Sequence, residues 1–311
     1  MSGEWLTIES DPVVFDEFIT DLFGAKGLAV RELLFMEPEA LGAYESVFGI
    51  ILLFKYGTKK TAERTIEESP SDDTIYFAQQ VVPDACSTLA VVNLLCNLTD
   101  RVDVGPTIKE FVEITAPLDP NSRGIAVGSR SDFRGFQNSF APSDMVDMSL
   151  PAKKDATGDV YHYVTFIYKN GAIWELDGLQ LGPQRRSDAD DTNYKTALMN
   201  VLQQRVTEIS ESDKSGNGQG ISFNILLVVD DPIEKLEKSI AEAQAQGQPV
   251  DGMQAELEQL KAEKAEGREE NKRRRHGYFP MIFDLLKALA EKDLLQPVID
   301  DVKARKEANK K

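Results

Sequence analysis

The sequence of 311 residues has only two cysteines, two histidines and no long apolar run. Two cysteines cannot build the disulfide framework typical of small secreted domains, and this points to a reducing compartment. No run of about 18 apolar residues is present, so the sequence contains no candidate membrane-spanning helix. The first residues, MSGEWLTIESDP, lack the basic and then apolar order of a secretory signal. We therefore expect a soluble intracellular protein.

The net charge of −17 is unevenly placed along the chain. Residues 232–311 contain 16 basic and 16 acidic side chains, so residues 1–231 carry the whole excess of negative charge. An acidic body disfavours nucleic acid as a partner and favours a basic one. The same excess of negative charge would also be found if it served only to keep the protein soluble.

Residues 1–231 have the element pattern of a mixed α/β domain. Asp11 followed by Pro12 is a helix-start signal, and apolar residues at helical spacing continue to about Gly24. The run VFGIILLFKY has the length and composition of a buried strand. We also predict a helix over residues 194–209 and a last buried strand over residues 222–229.

Beyond Pro232 the composition changes to Ala, Glu, Lys and Gln with sparse apolar residues, which is typical of exposed helices or coiled coils. The segment QPVDG at residues 248–252 divides this region into two helices. A more strongly amphipathic segment begins at YFPMIF, and such a region cannot bury much apolar surface by itself. We therefore expect one domain at residues 1–231 and a helical extension at residues 232–311 that docks on a partner.

Cys86 and Cys96 occupy different environments within QQVVPDACSTLAVVNLLCNL, residues 79–98. Pro83 ends an extended segment, and Asp84 is predicted to cap a helix whose first turn contains Cys86. The free N–H groups and positive dipole end of a first turn favour thiolate over thiol, and small neighbours leave room for a substrate. Cys86 is therefore a candidate nucleophile, although a cysteine at a helix start is more often structural.

Cys96 follows among leucines and is predicted to be a core residue. On one helix the two thiols would lie roughly 15 Å apart along the axis, which is too far for a disulfide. The cysteines and histidines of the chain include no close pair of the kind that structural zinc sites use. We therefore expect no metal site.

A cysteine nucleophile needs a base, and His162 has more informative surroundings than His276, which lies in the basic stretch NKRRRHGYFP. Residues 160–168 alternate as a strand does, and Asn170-Gly171 is a type I′ hairpin signal. Pairing across that turn makes Asp177 a diagonal neighbour of His162, at about 7–8 Å between Cα atoms. An Asp there could orient the imidazole, so a base and an ordinary core histidine both stay open interpretations.

Gln80 lies six residues before Cys86, on the segment that enters the predicted helix. Its side-chain amide is a suitable donor to an oxyanion, beside the backbone N–H of the nucleophile. An ordinary polar loop residue would give the same pattern, and spacing alone favours that interpretation.

Together these segments resemble the ubiquitin carboxyl-terminal hydrolase family of cysteine proteases, in particular its long, proteasome-associated members. The matching stretches are GEWLTIESDPVVFDEFI, TIYFAQQVVPDACSTLAVVNLL, QNSFA, YHYVTFIYKNGAIWELDGLQLGP and YFPMIFDLLKALAE. They are spread over nearly the whole chain. The resemblance implies a papain-like α/β fold, with a central sheet flanked by helices and a knotted backbone, plus the α-helical C-terminal extension.

The resemblance also implies four site residues with distinct roles: Cys86 as nucleophile, His162 as general base and proton donor, Asp177 as the carboxylate that orients His162, and Gln80 in the oxyanion hole. It implies a thiol protease that cleaves after the terminal glycine of ubiquitin and needs no cofactor. Asp84 departs from the family pattern, which usually has Asn there, and its charge is expected to raise the pKa of Cys86. A catalytically weak ubiquitin-binding scaffold is therefore the alternative.

The partners implied by the resemblance are ubiquitin, the ubiquitin receptor of the proteasome and a chromatin-remodelling complex, met in cytoplasm and nucleus. Trp5 would border the ubiquitin surface, residues 142–159 would cross the active site, and residues 232–311 would dock on the receptor. The stretch RRRHGYF, residues 273–279, could be a nuclear-localisation or nucleic-acid patch, although a solvated helix face is favoured, and residues 272–278 are alternatively a contact for bound ubiquitin. We expect no membrane partner and do not favour nucleic acid.

Overall fold

The structure is a computed structural model that describes residues 3–56, 74–141, 160–212, 223–276 and 278–308. Its strands are β1 Leu28–Glu32, β2 Val47–Tyr56, β3 Val160–Lys169, β4 Ala172–Leu176, β5 Gln184–Asp188 and β6 Phe223–Asp230. They form one sheet in the order β1-β6-β2-β3-β4-β5, and every neighbouring pair is antiparallel. The predicted mixed α/β class is confirmed.

Helices precede, follow and interrupt the strands. The helices are α1 Pro12–Glu17, α2 Cys86–Cys96, α3 Gly105–Thr115, α4 Pro120–Ser129, α5 Ser131–Asn138, α6 Tyr194–Ser212, α7 Pro232–Ala245, α8 Asp251–Arg275, α9 Phe279–Glu291 and α10 Leu295–Ala308. Helix α1 continues as a π-helical stretch, Phe18–Leu22, and a 3₁₀ helix spans Pro38–Ala43. Within the described ranges, no helix is both long enough and apolar enough to cross a bilayer.

The sheet separates two apolar cores, because successive side chains of a strand point to opposite faces. On β3, Val164 packs with Leu198 of α6 in one core, whereas Tyr163 belongs to the core on the α2 side. The hydroxyl of Thr165 donates to the carbonyl of Ala90 at 3.0 Å and joins β3 directly to α2. The helix that begins at Cys86 is thus held against the strand that carries His162.

The predicted elements of residues 1–231 lie where the sequence places them. Asp11 caps α1 by accepting the N–H of Val13 at 2.8 Å, and the helical segment ends before Gly24, whose φ is +74°. The predicted strand at residues 47–56 is β2, and α6 contains the whole predicted helix. The last predicted strand is β6, which begins at Phe223; residue 222 lies outside the described ranges.

The C-terminal extension contains two different kinds of helix. Helix α8 packs on α1: the Asn271 amide donates to the carbonyl of Val13 at 3.1 Å and to the Glu17 carboxylate at 2.9 Å. Arg274 pairs with Asp11 at 2.6 Å, so the basic end of α8 lies on the acidic body of the protein, which none of the three interpretations anticipated. Helix α9 instead exposes most of its apolar side chains: Met281, Ile282, Phe283, Leu285 and Leu286.

Candidate active site

Cys86 is the first residue of α2, and the turn before it differs from the prediction. Asp84 was predicted to cap the helix, but Ala85 occupies the cap position and no side chain caps this end. Asp84 adopts a left-handed conformation with φ of +61°, whereas a capping residue has an extended backbone. The prediction of an Asp84 cap is therefore wrong, although the helix itself begins where it was expected.

A cavity of about 450 Å³ opens beside the Cys86 thiol. This volume is within the range of pockets that bind small ligands or peptide segments. Three parts of the chain form its wall: the N-terminal segment Thr7, Ile8, Glu9 and Ser10, the turn residues Asp84, Cys86 and Ser87, and the strand residues Leu53, Tyr161 and Tyr163. The thiol is thus buried in the protein but borders a space that a substrate could enter.

The pKa of the Cys86 thiol is raised to about 11, chiefly by burial. Hydrogen bonds from the backbone N–H groups of Tyr163, Cys86 and Ser87 lower it, and the negative charge of Asp84 raises it further. The expected raising effect of Asp84 is present. The first-turn donors favour the thiolate, as expected, but desolvation outweighs them in this structure. The thiol is therefore protonated at neutral pH, and its attack on a carbonyl requires a base.

His162 and Asp177 form a hydrogen bond of 2.7 Å between Nε2 and Oδ1, and they are 3% and 0% exposed. The hairpin that brings them together has the predicted register, with Lys169 opposite Ala172. Both turn residues have positive φ, 52° at Asn170 and 74° at Gly171, as a type I′ turn requires. The predicted neighbour relation of His162 and Asp177 is confirmed, and the carboxylate is placed to hold the imidazole in one orientation.

Cys86 meets the strand of His162 through the backbone. The N–H of Tyr163, which faces the Cys86 sulfur, belongs to the peptide that joins His162 to Tyr163. The imidazole of His162 also meets the ring of Phe54 edge-on, with 6.0 Å between ring centroids. The candidate nucleophile on α2 therefore faces the backbone of β3 directly beside the candidate base.

Gln80 is joined to the loop that carries Asp177. Its backbone N–H donates to the carbonyl of Gly178 at 2.7 Å. A Cβ atom on Gly178 would lie 3.0 Å from the Cβ of Gln80 and 2.5 Å from the side chain of Leu89, so only glycine allows this approach. The side-chain Oε1 of Gln80 is buried without a hydrogen-bond partner among the described residues, so this end of the amide is held by no described side chain or backbone group.

Cys96 and Trp5 are both core residues. Cys96, at the other end of α2, is 4% exposed and its thiol is free, as predicted. Trp5 is 2% exposed and packs in the core on the α2 side of the sheet. Its indole therefore has almost no surface to offer a partner, which corrects the expectation that Trp5 borders ubiquitin. The predicted crossing loop, residues 142–159, lies outside the described residues.

Gln137 is a site residue that the sequence reasoning missed. In the sequence, the stretch QNSFA supports only the resemblance to the family. In the structure, the buried Gln137 side chain of this stretch binds the first turn of α2. The sequence spacing could have indicated that Gln137 is buried, because it follows Phe133 by four residues and therefore shares the buried face of that helix. In the part of the chain that the structure describes, no cluster of His, Cys, Asp or Glu has the makings of a metal site.

Comparison with known proteins identifies the same family for both parts of the chain. The family model "Ubiquitin carboxyl-terminal hydrolase, family 1" matches residues 5–207, and a second, "Ubiquitin carboxyl-terminal hydrolases", matches residues 251–295. The chain is 30% identical to ubiquitin carboxyl-terminal hydrolase ubh-4 of Caenorhabditis elegans, over 99% of this chain and 95% of that one. Isozyme L5 of Dictyostelium discoideum is 28% identical over 96% and 95% of the two chains.

A solved structure of the same kind is also similar to this chain. The crystal structure of Trichinella spiralis UCH37 bound to ubiquitin vinyl methyl ester matches with a TM-score of 0.61 and 31% identity. The match covers 88% of this chain and 100% of that one. Sequence and structure comparisons therefore agree over both the sheet domain and much of the helical extension.

Proposed function

The chain belongs to the ubiquitin carboxyl-terminal hydrolase family, and from this we propose that it cleaves after the terminal glycine of ubiquitin by means of Cys86, His162, Asp177 and Gln80. It is a cysteine-type ubiquitin carboxyl-terminal hydrolase, and its antiparallel sheet flanked by helices is the fold of that family. The observation that carries the site assignment is the buried 2.7 Å contact of His162 with Asp177, next to the peptide that faces the Cys86 sulfur.

The proposed reaction begins with proton transfer from the Cys86 thiol to His162, since the raised pKa keeps this thiol protonated. The sulfur attacks the carbonyl carbon of the terminal glycine, and the Gln80 amide and the Cys86 backbone N–H stabilise the resulting oxyanion. His162 returns the proton to the leaving amine, and a thioester remains on Cys86. Water, deprotonated by His162, then attacks the thioester and releases the ubiquitin carboxylate and the free thiol.

Hydrolysis of a fluorogenic ubiquitin C-terminal amide tests this assignment. We expect Cys86→Ala to lower kcat by at least about 10³-fold, because it removes the nucleophile. Cys96→Ala is the matched control: it removes the other thiol of the same helix and is expected to keep kcat within about twofold of the unsubstituted chain. If the unsubstituted protein binds ubiquitin but forms no thioester, the scaffold alternative replaces the enzyme interpretation.

We further propose that residues 1–231 are the catalytic part and that residues 232–311 dock on the ubiquitin receptor of the proteasome. The docked enzyme would trim ubiquitin from conjugates there, in cytoplasm and nucleus, with a chromatin-remodelling complex as a second partner. The support is the apolar face of α9, where Phe283 is 58% exposed. Contiguous exposed apolar faces usually mark a protein-binding surface.

Full-length protein with Phe283→Asp tests the docking proposal. Titration calorimetry against the purified receptor should show affinity at least about tenfold weaker, because a charge replaces an apolar side chain in the buried contact. The control is Ile114→Asp on α3, which makes the same kind of change at an equally exposed apolar residue. Turnover of the ubiquitin amide should be unaffected in both variants. If both variants bound the receptor with equal affinity, the docking surface would lie elsewhere.

A further inference from the structure

Gln137 uses its whole hydrogen-bonding capacity around the nucleophile. The side chain is 0% exposed, at the end of α5. Its Nε2 donates to the carbonyls of Leu6 at 2.6 Å and Asp84 at 2.8 Å. Its Oε1 accepts the hydroxyls of Ser87 at 2.9 Å and Thr88 at 2.7 Å. Asp84 precedes Cys86 by two residues, and Ser87 and Thr88 follow it directly, so one side chain is hydrogen-bonded to the chain on both sides of the thiol.

We propose that Gln137 is a positioning residue that fixes the Cys86 thiol against its backbone donors, an inference that rests on the proposed role of Cys86 as nucleophile. The left-handed conformation of Asp84 is uncommon for a residue with a side chain and persists only where the surroundings hold it. The bond from Gln137 to the Asp84 carbonyl is such a restraint. It holds the turn that directs Cys86 toward the N–H of Tyr163.

The chemistry at this position requires an amide. The side chain must donate twice, to two carbonyls, and accept twice, from two hydroxyls. Only Asn and Gln combine two donors with a two-lone-pair acceptor at the end of one side chain. A carboxylate at position 137 could still accept from Ser87 and Thr88, but it would face the carbonyls of Leu6 and Asp84 without a proton to donate.

The same amide also connects the turn of Cys86 to the N-terminal segment that lines the cavity. Leu6 precedes the segment Thr7 to Ser10 that lines the space beside Cys86. The next residue, Asn138, reinforces this attachment, since its Oδ1 accepts the Leu6 N–H and its Nδ2 donates to the Glu4 carbonyl, both at 2.9 Å. Gln137 therefore sets the spacing between the thiol and the wall that a substrate would pass.

The test replaces Gln137 with Met, which has similar length and no comparable hydrogen bonds. With the ubiquitin amide as substrate, we expect kcat to fall about 10- to 100-fold and KM to stay within about threefold, because the reacting group moves while the ubiquitin surface does not. We also expect the alkylation rate of Cys86, followed by mass spectrometry with iodoacetamide, to have its pH inflection shifted upward. The backbone N–H groups that favour the thiolate would no longer be aligned with the sulfur.

Asn97→Leu is the matched control, since it removes an equally buried amide from the other end of α2. Asn97 donates to the carbonyls of Tyr76 and Asn93, both at 2.8 Å, and accepts the N–H of Tyr76 at 2.9 Å. We expect this variant to lose thermal stability but to keep kcat within about twofold and the Cys86 inflection unchanged. If the control lost as much activity as Gln137→Met, the loss would be a stability effect and the proposal would be overturned.

A second variant keeps the proposal testable if Gln137→Met does not fold by circular dichroism. The pair Ser87→Ala with Thr88→Val removes both hydroxyls that donate to Gln137, and we expect kcat to fall about 3- to 10-fold with the same upward shift of the Cys86 inflection. An unchanged kcat and inflection in the folded variant would overturn the positioning role. Absence of turnover in the unsubstituted protein would instead contradict the proposed function, while the alkylation profile would still report on Gln137.

Discussion

The two ends of helix α2 carry the two cysteines of the chain in chemically different surroundings. Both thiols are buried, and burial is the main cause that raises the pKa of each. At the N-terminal end Cys86 borders a cavity of about 450 Å³ and meets three backbone N–H donors. At the C-terminal end Cys96 lies in the core near the Tyr76 side chain, and the helix ends in carbonyl groups that accept hydrogen bonds, such as that of Asn93 from the Asn97 amide.

Burial alone therefore does not distinguish the proposed nucleophile from the core thiol. A helix N-terminus supplies donors and the positive dipole end, and the C-terminus supplies neither. Access separates the two sites further, because a substrate can reach the sulfur of Cys86 through the cavity. The buried amides at the two ends have different partners: Gln137 binds the turn that precedes the proposed nucleophile, whereas Asn97 binds the extended segment at Tyr76.

The largest expected effect tests whether the N-terminal end needs a base. His162→Ala should lower kcat for the ubiquitin amide by about 10³-fold or more, since a protonated thiol has no other acceptor in the proposed reaction. His276→Ala is the control, because it removes the other histidine from an exposed position. Steady-state kinetics on both variants decides the matter; a loss of less than about tenfold in His162→Ala would mean that another group takes the proton.

The next expected effect is the difference in reactivity between the two thiols of the native protein. We expect iodoacetamide to modify Cys86 at least about 100-fold faster than Cys96, because only the former borders a cavity. The thiolate is the reactive form, and because the pKa is raised to about 11, the thiolate fraction is small at neutral pH and keeps growing up to that pH. The Cys86 rate should therefore rise about tenfold per pH unit and level off near pH 11. Peptide mass spectrometry measures both alkylation rates. Comparable rates at the two thiols would contradict the proposed difference in their reactivity.

How much of this site the sequence predicts depends on how local each contact is. The relation of His162 to Asp177 follows from one hairpin, because Asn170-Gly171 selects the turn type and the turn sets the register. The start of α2 and the core position of Cys96 are equally local inferences. These predictions use only residues close to one another in the chain, and they are confirmed.

The wrong predictions concern contacts between distant parts of the chain. Asp84 looks like a cap in sequence, but Gln137 binds its carbonyl from 53 residues away and the turn is left-handed. The predicted preference of the first turn for a thiolate is present at Cys86, but desolvation outweighs it, and the cost of desolvation depends on everything packed around the sulfur. Trp5 lies in an acidic N-terminal segment, yet the core on the α2 side of the sheet buries it. None of these outcomes is encoded in local spacing.

A smaller effect concerns stability at the core end of the helix. Cys96→Ala should lower the free energy of unfolding by about 1–2 kcal/mol, because it leaves a small void in close-packed surroundings. Cys86→Ala should cost less, since its sulfur already borders a cavity. Urea unfolding followed by circular dichroism measures both. An equal cost at the two positions would show that the cavity beside Cys86 is filled in solution.

The smallest effect isolates the charge of Asp84. Its carboxylate raises the pKa of Cys86, so Asp84→Asn should move the pH inflection of Cys86 alkylation downward and raise the rate at about pH 8 by less than about tenfold. Burial and Glu4 raise the pKa of Asp84 itself, so the assay runs at about pH 8 and above to favour the charged carboxylate. Asn tolerates the left-handed conformation, which keeps the turn intact.

Asp100→Asn removes the same charge beyond the other end of α2, where the Asp100 side chain is 66% exposed, and should leave the inflection unchanged. A downward shift in both variants would mean that the overall charge of the protein, rather than its placement beside the thiol, governs Cys86. An unchanged inflection in Asp84→Asn would mean that solvent in the cavity screens the carboxylate from the sulfur. In that case the high pKa of Cys86 would be an effect of burial alone.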